Sequence, residues 1–194
     1  MSIEKIVLAA AVSSMGSTLM VPLSRAAETY QADPVHSAVV FRIKHMNTSY
    51  IWGRFNKITG VFSLDAKDPA QSKLEFQVDT ASVDTANPQR DQHLKSPDFF
   101  NAVQYPTITF KSKSVSGSPA GYEVNGDLTL HGVAKPITLK VSQTGAGKDM
   151  RGGAIGGIDT SFTIKRSDFG MSNMLNAVGD EVWVNVSVEG GLQK

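Results

Sequence analysis

The chain has 194 residues, 41% of them apolar and 19% charged, and carries a net charge of +1. That is enough for one domain with a sizeable core, and near-neutrality argues against a disordered chain and against nucleic acid as a partner. With no cysteine present, disulfides, thiolate metal sites, iron–sulfur clusters and a cysteine nucleophile are excluded.

Residues 1–26 read as an export signal. Lys5 precedes an apolar run from Ile6 to Val12, and the small residues Ser24 and Ala26 stand where a signal peptidase reads, placing cleavage before Ala27. Ser13, Ser14, Gly16, Ser17 and Thr18 interrupt the run. It falls short of the ~20 apolar residues of a span, so stable membrane insertion is not expected. The mature domain is then 27–194.

Period-two alternation dominates that domain. Ser37, Val39, Phe41, Ile43 and His45 share one strand face, with Arg42 and Lys44 on the other. A strand pair is expected around 52–64, followed by Leu74, Phe76 and Val78 on one face of the next strand. Residues 87–106 break the pattern: a short helix is expected over 88–95, then a second turn capped by Ser96 or Asp98. Leu94, Phe99, Phe100 and Tyr105 make this insert too apolar for a free loop, so it should cap one end of the fold. Alternation resumes at 108–112, 122–130, 137–141, 158–165 and 182–189. Of the 17 glycines, 14 lie at or after Gly117, which suits strands joined by tight turns. About eight strands with one apolar face each imply an antiparallel up-and-down barrel or a sandwich.

Several strings resemble the YceI-like family of exported bacterial proteins: Asp33-Pro34-Val35-His36-Ser37, Gly53-Arg54-Phe55, Arg90-Asp91-Gln92-His93-Leu94 and Asp98-Phe99-Phe100, then Gly126-Asp127-Leu128-Thr129-Leu130-His131-Gly132 and Arg166-Ser167-Asp168-Phe169-Gly170. The resemblance spans about 30–189. It implies a lipocalin-like eight-stranded barrel whose interior holds an isoprenoid or other long-chain lipid, in the periplasm or secreted. The first reading of function is a binder that holds or carries this lipid and is not an enzyme.

On that reading the cavity is lined by Phe41, Ile43, Phe55, Phe76, Phe99, Phe100, Tyr105, Phe110, Leu128, Phe162, Ile164 and Met171. Small inward residues such as Ser37, Ser112, Gly126 and Thr160 leave room between them. Arg90 and His93, one helical turn apart near the mouth, are the candidate contacts for a head group. Arg90 and Asp91 could equally hold the helix to neighbouring loops. No catalytic residue, metal site or cofactor is expected: the four histidines have no ligand spacing, and Gly152-Gly153 and Gly156-Gly157 read as turn and bulge glycines. Arg166-x-Asp168 reads as a turn held by an ion pair, with Gly170 at positive φ. Met171, Met174 and Leu175 form an adaptable apolar set near an opening. Two rival readings are an envelope hydrolase using His93, Asp91 and Asp98, and an envelope interaction or stress factor without a ligand. A homodimer is left open.

Overall fold

A computed structural model describes residues 27–193; the expected export signal lies outside the described residues. Eleven strand segments and one helix follow in order: β1 (Thr29–Ala32), β2 (Ala38–His45), β3 (Ser49–Phe55), β4 (Ile58–Ser63), β5 (Lys73–Asp79), β6 (Val83–Asp84), α1 (Pro88–Lys95), β7 (Thr107–Ser118), β8 (Gly121–Leu130), β9 (Val133–Lys148), β10 (Ala154–Lys165) and β11 (Val178–Leu192). All pairings are antiparallel, in the order β1-β4-β5-β7-β8-β9-β10-β11, and β1 pairs β11 to close the ring. The fold is an eight-stranded up-and-down barrel, the first of the two expected architectures.

Six of the segments are halves of three long strands. β1 and β2 are interrupted at 33–37, β3 and β4 at 56–57, and β5 and β6 at the 3-10 turn Thr80–Ser82. The expected strand pair around 52–64 is therefore one bent strand whose halves have different partners: β3 joins β2, and β4 joins β1 and β5. The bend is tied down where the amides of Asn56 and Lys57 donate to the Ser82 carbonyl and hydroxyl. β9 runs well beyond the expected 137–141, because its outer residues are polar on both faces and carry no period-two signal.

Alternation decides which side chains enter the barrel. At the end bearing the 64–72, 119–120 and 149–153 turns, Tyr122, Val124, Val141 and Val188 are almost wholly buried. Tyr30 stacks on Phe62 at 5.3 Å, and Phe62 meets Phe76 at 6.4 Å. This end is filled. Large rings fit because a glycine faces them. The Phe41 ring lies over its register partner Gly53, where an added Cβ would come within 2.3 Å, and the Phe110 ring is similarly close to Gly126.

The insert covers the other end. Asn87 caps α1 by accepting the Arg90 amide, Pro88 occupies the first turn, and His93 and Lys95 sit in the last. Eight residues are too few for an independent helix, so anchors are needed. The Asp91 carboxylate accepts from the Thr85 amide and hydroxyl, while Arg90 donates through Nε to the Thr85 hydroxyl and through Nη2 to its carbonyl. After α1 the chain makes successive turns through 97–104 and no second helix.

Candidate functional site

The filled end and the insert enclose a cavity of about 280 Å³. Its wall comes from inward positions of β2, β3, β5, β7, β8, β10 and β11 together with α1 and the segments after β6, α1 and β10. The aliphatic side chains Ile43, Ile164, Val182 and Val184 face it and are only half-buried, although they point into the barrel. They lack protein cover on that side.

Eight of the twelve expected lining residues are in the wall: Phe41, Ile43, Phe55, Phe99, Phe100, Leu128, Ile164 and Met171. Phe55 meets Phe41 at 5.6 Å and Phe100 at 5.5 Å, which joins barrel to insert. The other four lie elsewhere. Phe76 and Phe110 are register partners one inward position farther from the mouth than Val78 and Ile108, which do line the cavity. Phe162 is half-buried against the core, opposite Val184. Tyr105 packs outside the wall, its ring 4.6 Å from that of His131 and against Gly132.

Arg90 and His93 both reach the wall. Arg90 also performs the anchoring role, through Thr85. His93 pairs through Nε2 with Asp98 at 2.9 Å and stands edge-on to Phe99 at 4.9 Å. Asp91 is committed to Thr85, so the three residues of the hydrolase reading are not gathered around one point.

Sequence reasoning missed the role of Arg166. In place of an ion pair with Asp168, Arg166 is 3% exposed and lines the cavity, and its guanidinium donates to three carbonyls: Nε to Gly179 at 2.9 Å, Nη1 to Met171 at 2.6 Å and Nη2 to Val178 at 2.8 Å. Burial pushes its pKa down from the ordinary value, and Asp180 opposes the shift. Asp180 in turn accepts from the Ser167 amide and hydroxyl. Gly170 has the expected positive φ, 78°. Ile51, Leu94, Val182 and Val184 also line the cavity unannounced, although strand parity and the apolar character of the insert point to them.

Among the described residues, no Asp or Glu lines the cavity; its polar groups are Thr85, Arg90, Arg166, His45 and His93. On the outside, at the break between β1 and β2, Asp33, His36 and Glu189 bring three ligand-capable atoms within 4.8 Å of one another. There His36 Nδ1 lies 2.8 Å from Asp33 and 3.6 Å from Glu189.

Comparison with known proteins places the chain. A UPF0312 protein of Pseudomonas paraeruginosa is 40% identical over 179 residues, covering 91% of this chain and 94% of that protein. The crystal structure of BcnA from Burkholderia cenocepacia superposes with a TM-score of 0.74 at 26% identity, covering 81% and 98% of the two chains. A polyisoprenoid-binding domain from Saccharophagus degradans, implicated in plant cell wall breakdown, superposes with a TM-score of 0.65 over 84% and 98%; its 17% identity speaks for the fold alone. Among the described residues no helix is long and apolar enough to cross a membrane. The YceI-like domain matches residues 30–190, and the chain belongs to the YceI-like family.

Proposed function

We propose that the protein binds an isoprenoid or other long-chain lipid inside the barrel and carries or sequesters it outside the cytoplasm, without chemical conversion. The observation that carries this reading is the apolar cavity with half-buried aliphatic side chains on its wall. Its volume is near the lower end of the ~300–1,000 Å³ typical of small-molecule sites. Each methylene moved from water into such a wall contributes ~0.8 kcal/mol, so even part of a long chain supports binding after ordering costs. The polar groups around the wall are mostly donors, with Arg90 and His93 on the insert and Arg166 where the chain leaves β10. They favour a head group rich in hydrogen-bond acceptors. The family's membership and the polyisoprenoid-binding domain of the same fold support this reading.

The test is organic extraction and mass spectrometry of protein purified from the envelope fraction. A stoichiometric long-chain lipid is expected, on protein whose N-terminus is at or near Ala27; lipid-free protein that takes up none would overturn the proposal. The His93–Asp98 pair is the one feature favouring a hydrolase, and conversion of the extracted lipid on re-addition would establish that alternative.

A further inference from the structure

The outward face of the cavity wall carries a second surface. Register places Arg42 between Trp52 of β3 and Trp183 of β11, with Tyr50 two residues nearer the mouth. The Arg42 guanidinium lies 5.6 Å from the Trp52 ring, 5.2 Å from Trp183 and 4.8 Å from Tyr50, and the two indoles meet edge-on at 5.8 Å. Arg42 Nε is buried under these rings without a hydrogen-bond partner. Yet Tyr50 and Trp52 are 51% and 52% exposed. Soluble surfaces seldom display aromatic groups together in this way.

The stripe continues to the mouth. Met46, 59% exposed, tops the β2–β3 turn, and its amide donates to the Ala177 carbonyl. That bond joins it to the loop carrying the exposed Met174 and Leu175. Met46 and Met174 hold left-handed backbone conformations, with φ of 47° and 54°, at positions where glycine or asparagine would be less strained. Met174 also lines the cavity. The surface thus runs from the aromatic cluster to the opening without a break. Its charge is positive: Arg42 and Lys44 point outward here, while Glu181 has Lys165 as its register partner.

We infer that the stripe from Trp183, Arg42 and Trp52 through Tyr50 to Met46 and Met174 docks the barrel mouth onto the surface of an anionic lipid bilayer. Tryptophan and tyrosine settle at the boundary between head groups and acyl chains, and a cation among them meets lipid phosphate. Continuity with the mouth selects a bilayer over a protein partner, because an apolar chain then passes from membrane to cavity without crossing water. The inference rests on the lipid-binding reading, but its test is separate.

The chain has only two tryptophans, both in the stripe, so their fluorescence reports on it directly. Purified protein is mixed with vesicles of phosphatidylcholine alone, or of equimolar phosphatidylcholine and phosphatidylglycerol, with and without brominated acyl chains. The anionic vesicles are expected to shift the emission to the blue, to quench it when brominated, and to carry the protein down on sedimentation. Tyr50→Ser with Trp52→Ser should weaken that partitioning at least tenfold, with Trp183 still reporting and the melting temperature and co-purified lipid retained. Leu175→Ser is the second variant, expected to weaken it less. No anionic-vesicle binding by wild type, or equal binding by the double variant, would overturn the inference. So would a wild-type dimer that Trp52→Ser dissociates, which assigns the stripe to a second copy. Protein that holds lipid yet ignores vesicles defeats docking alone, whereas lipid-free protein that still binds vesicles defeats the cavity reading alone.

Discussion

Along β10 and β11, the same alternation passes through two different interiors. Toward one end, Ile158 and Val188 are buried in a packed core; toward the other, Ile164, Val182 and Val184 stay half-buried around open space. The difference lies in what stands opposite. Tyr30, Phe62, Phe76 and Tyr122 project rings across the filled end. At the mouth, the rings of Phe41, Phe55 and Phe100 cluster together, while β10 and β11 line the open space with branched aliphatic groups alone. A barrel of eight strands is wide enough for either outcome, and side-chain volume at each level decides it.

The largest effect expected from this comparison is on stability. Phe62→Ala removes a ring that is 3% exposed, stacked on Tyr30 and tilted against Phe76, and should cost about 3–5 kcal/mol in urea unfolding. Ile43→Ala at the mouth removes a half-buried side chain, so it should cost roughly 2 kcal/mol, the low end of the range, while weakening lipid retention. Equal losses in stability would mean that the two ends are packed alike.

Adding volume should reverse the ranking. Val184→Phe fills part of the cavity and is expected to stabilise lipid-free protein by roughly 0.5–2 kcal/mol, while lipid retention falls about tenfold, a loss of ~1.4 kcal/mol. Val141→Phe, at a position 1% exposed in the filled end, should destabilise by about 1–3 kcal/mol through overpacking. Thermal melts of the lipid-free variants, with mass spectrometry of co-purified lipid, separate the two effects.

Period two made the strands and their inward faces legible, and the prolines and caps around 88–95 marked the helix to the residue. It could not distinguish Phe76 and Phe110 from Phe41 and Phe55, because parity carries no information about height along the barrel or about the residue facing each ring. The dual use of Arg90 was foreseeable from its spacing to its neighbours. That of Arg166 was not: its partners are backbone carbonyls of residues 171, 178 and 179, which have no side-chain signature. β1 escaped notice because four residues cannot establish an alternation.

A smaller, local effect is expected in the insert. α1 has no buried residue, yet its Leu94 and the following Phe100 are half-buried and line the cavity, so cargo would complete their cover. Hydrogen exchange of delipidated and loaded protein should differ most over residues 88–105 and little over 182–188, since segments that gate a site come from the low-stability end of a structure. Uniform protection in both states would make the insert a fixed plug belonging to the packed part of the barrel.

The smallest effect lies at the joint between the two interiors, the break after β1. Hydrogen bonding to Asp33 raises the His36 pKa above its ordinary 6.5, and His36 with the Val35 amide lowers that of Asp33 below 3.8. The His36 contribution is fully present below 6.5 and is lost as pH rises through the raised value. That of Asp33 is present above 3.8 and is lost as pH falls through the depressed one. The ion pair therefore acts most fully between 3.8 and 6.5 and fades on the alkaline side as His36 loses its proton. Both side chains are exposed, and the joint keeps its pH-independent bonds from the Asp33 amide to the Glu189 carbonyl and between Ser37 and Glu189. The change should accordingly be slight. Urea melts of wild type and His36→Gln should differ in the mildly acidic range and converge as pH rises, with lipid retention the same in both. A difference that grows with pH, or a variant that loses its lipid, would show that the joint transmits to the hollow end and that the two interiors are not independent.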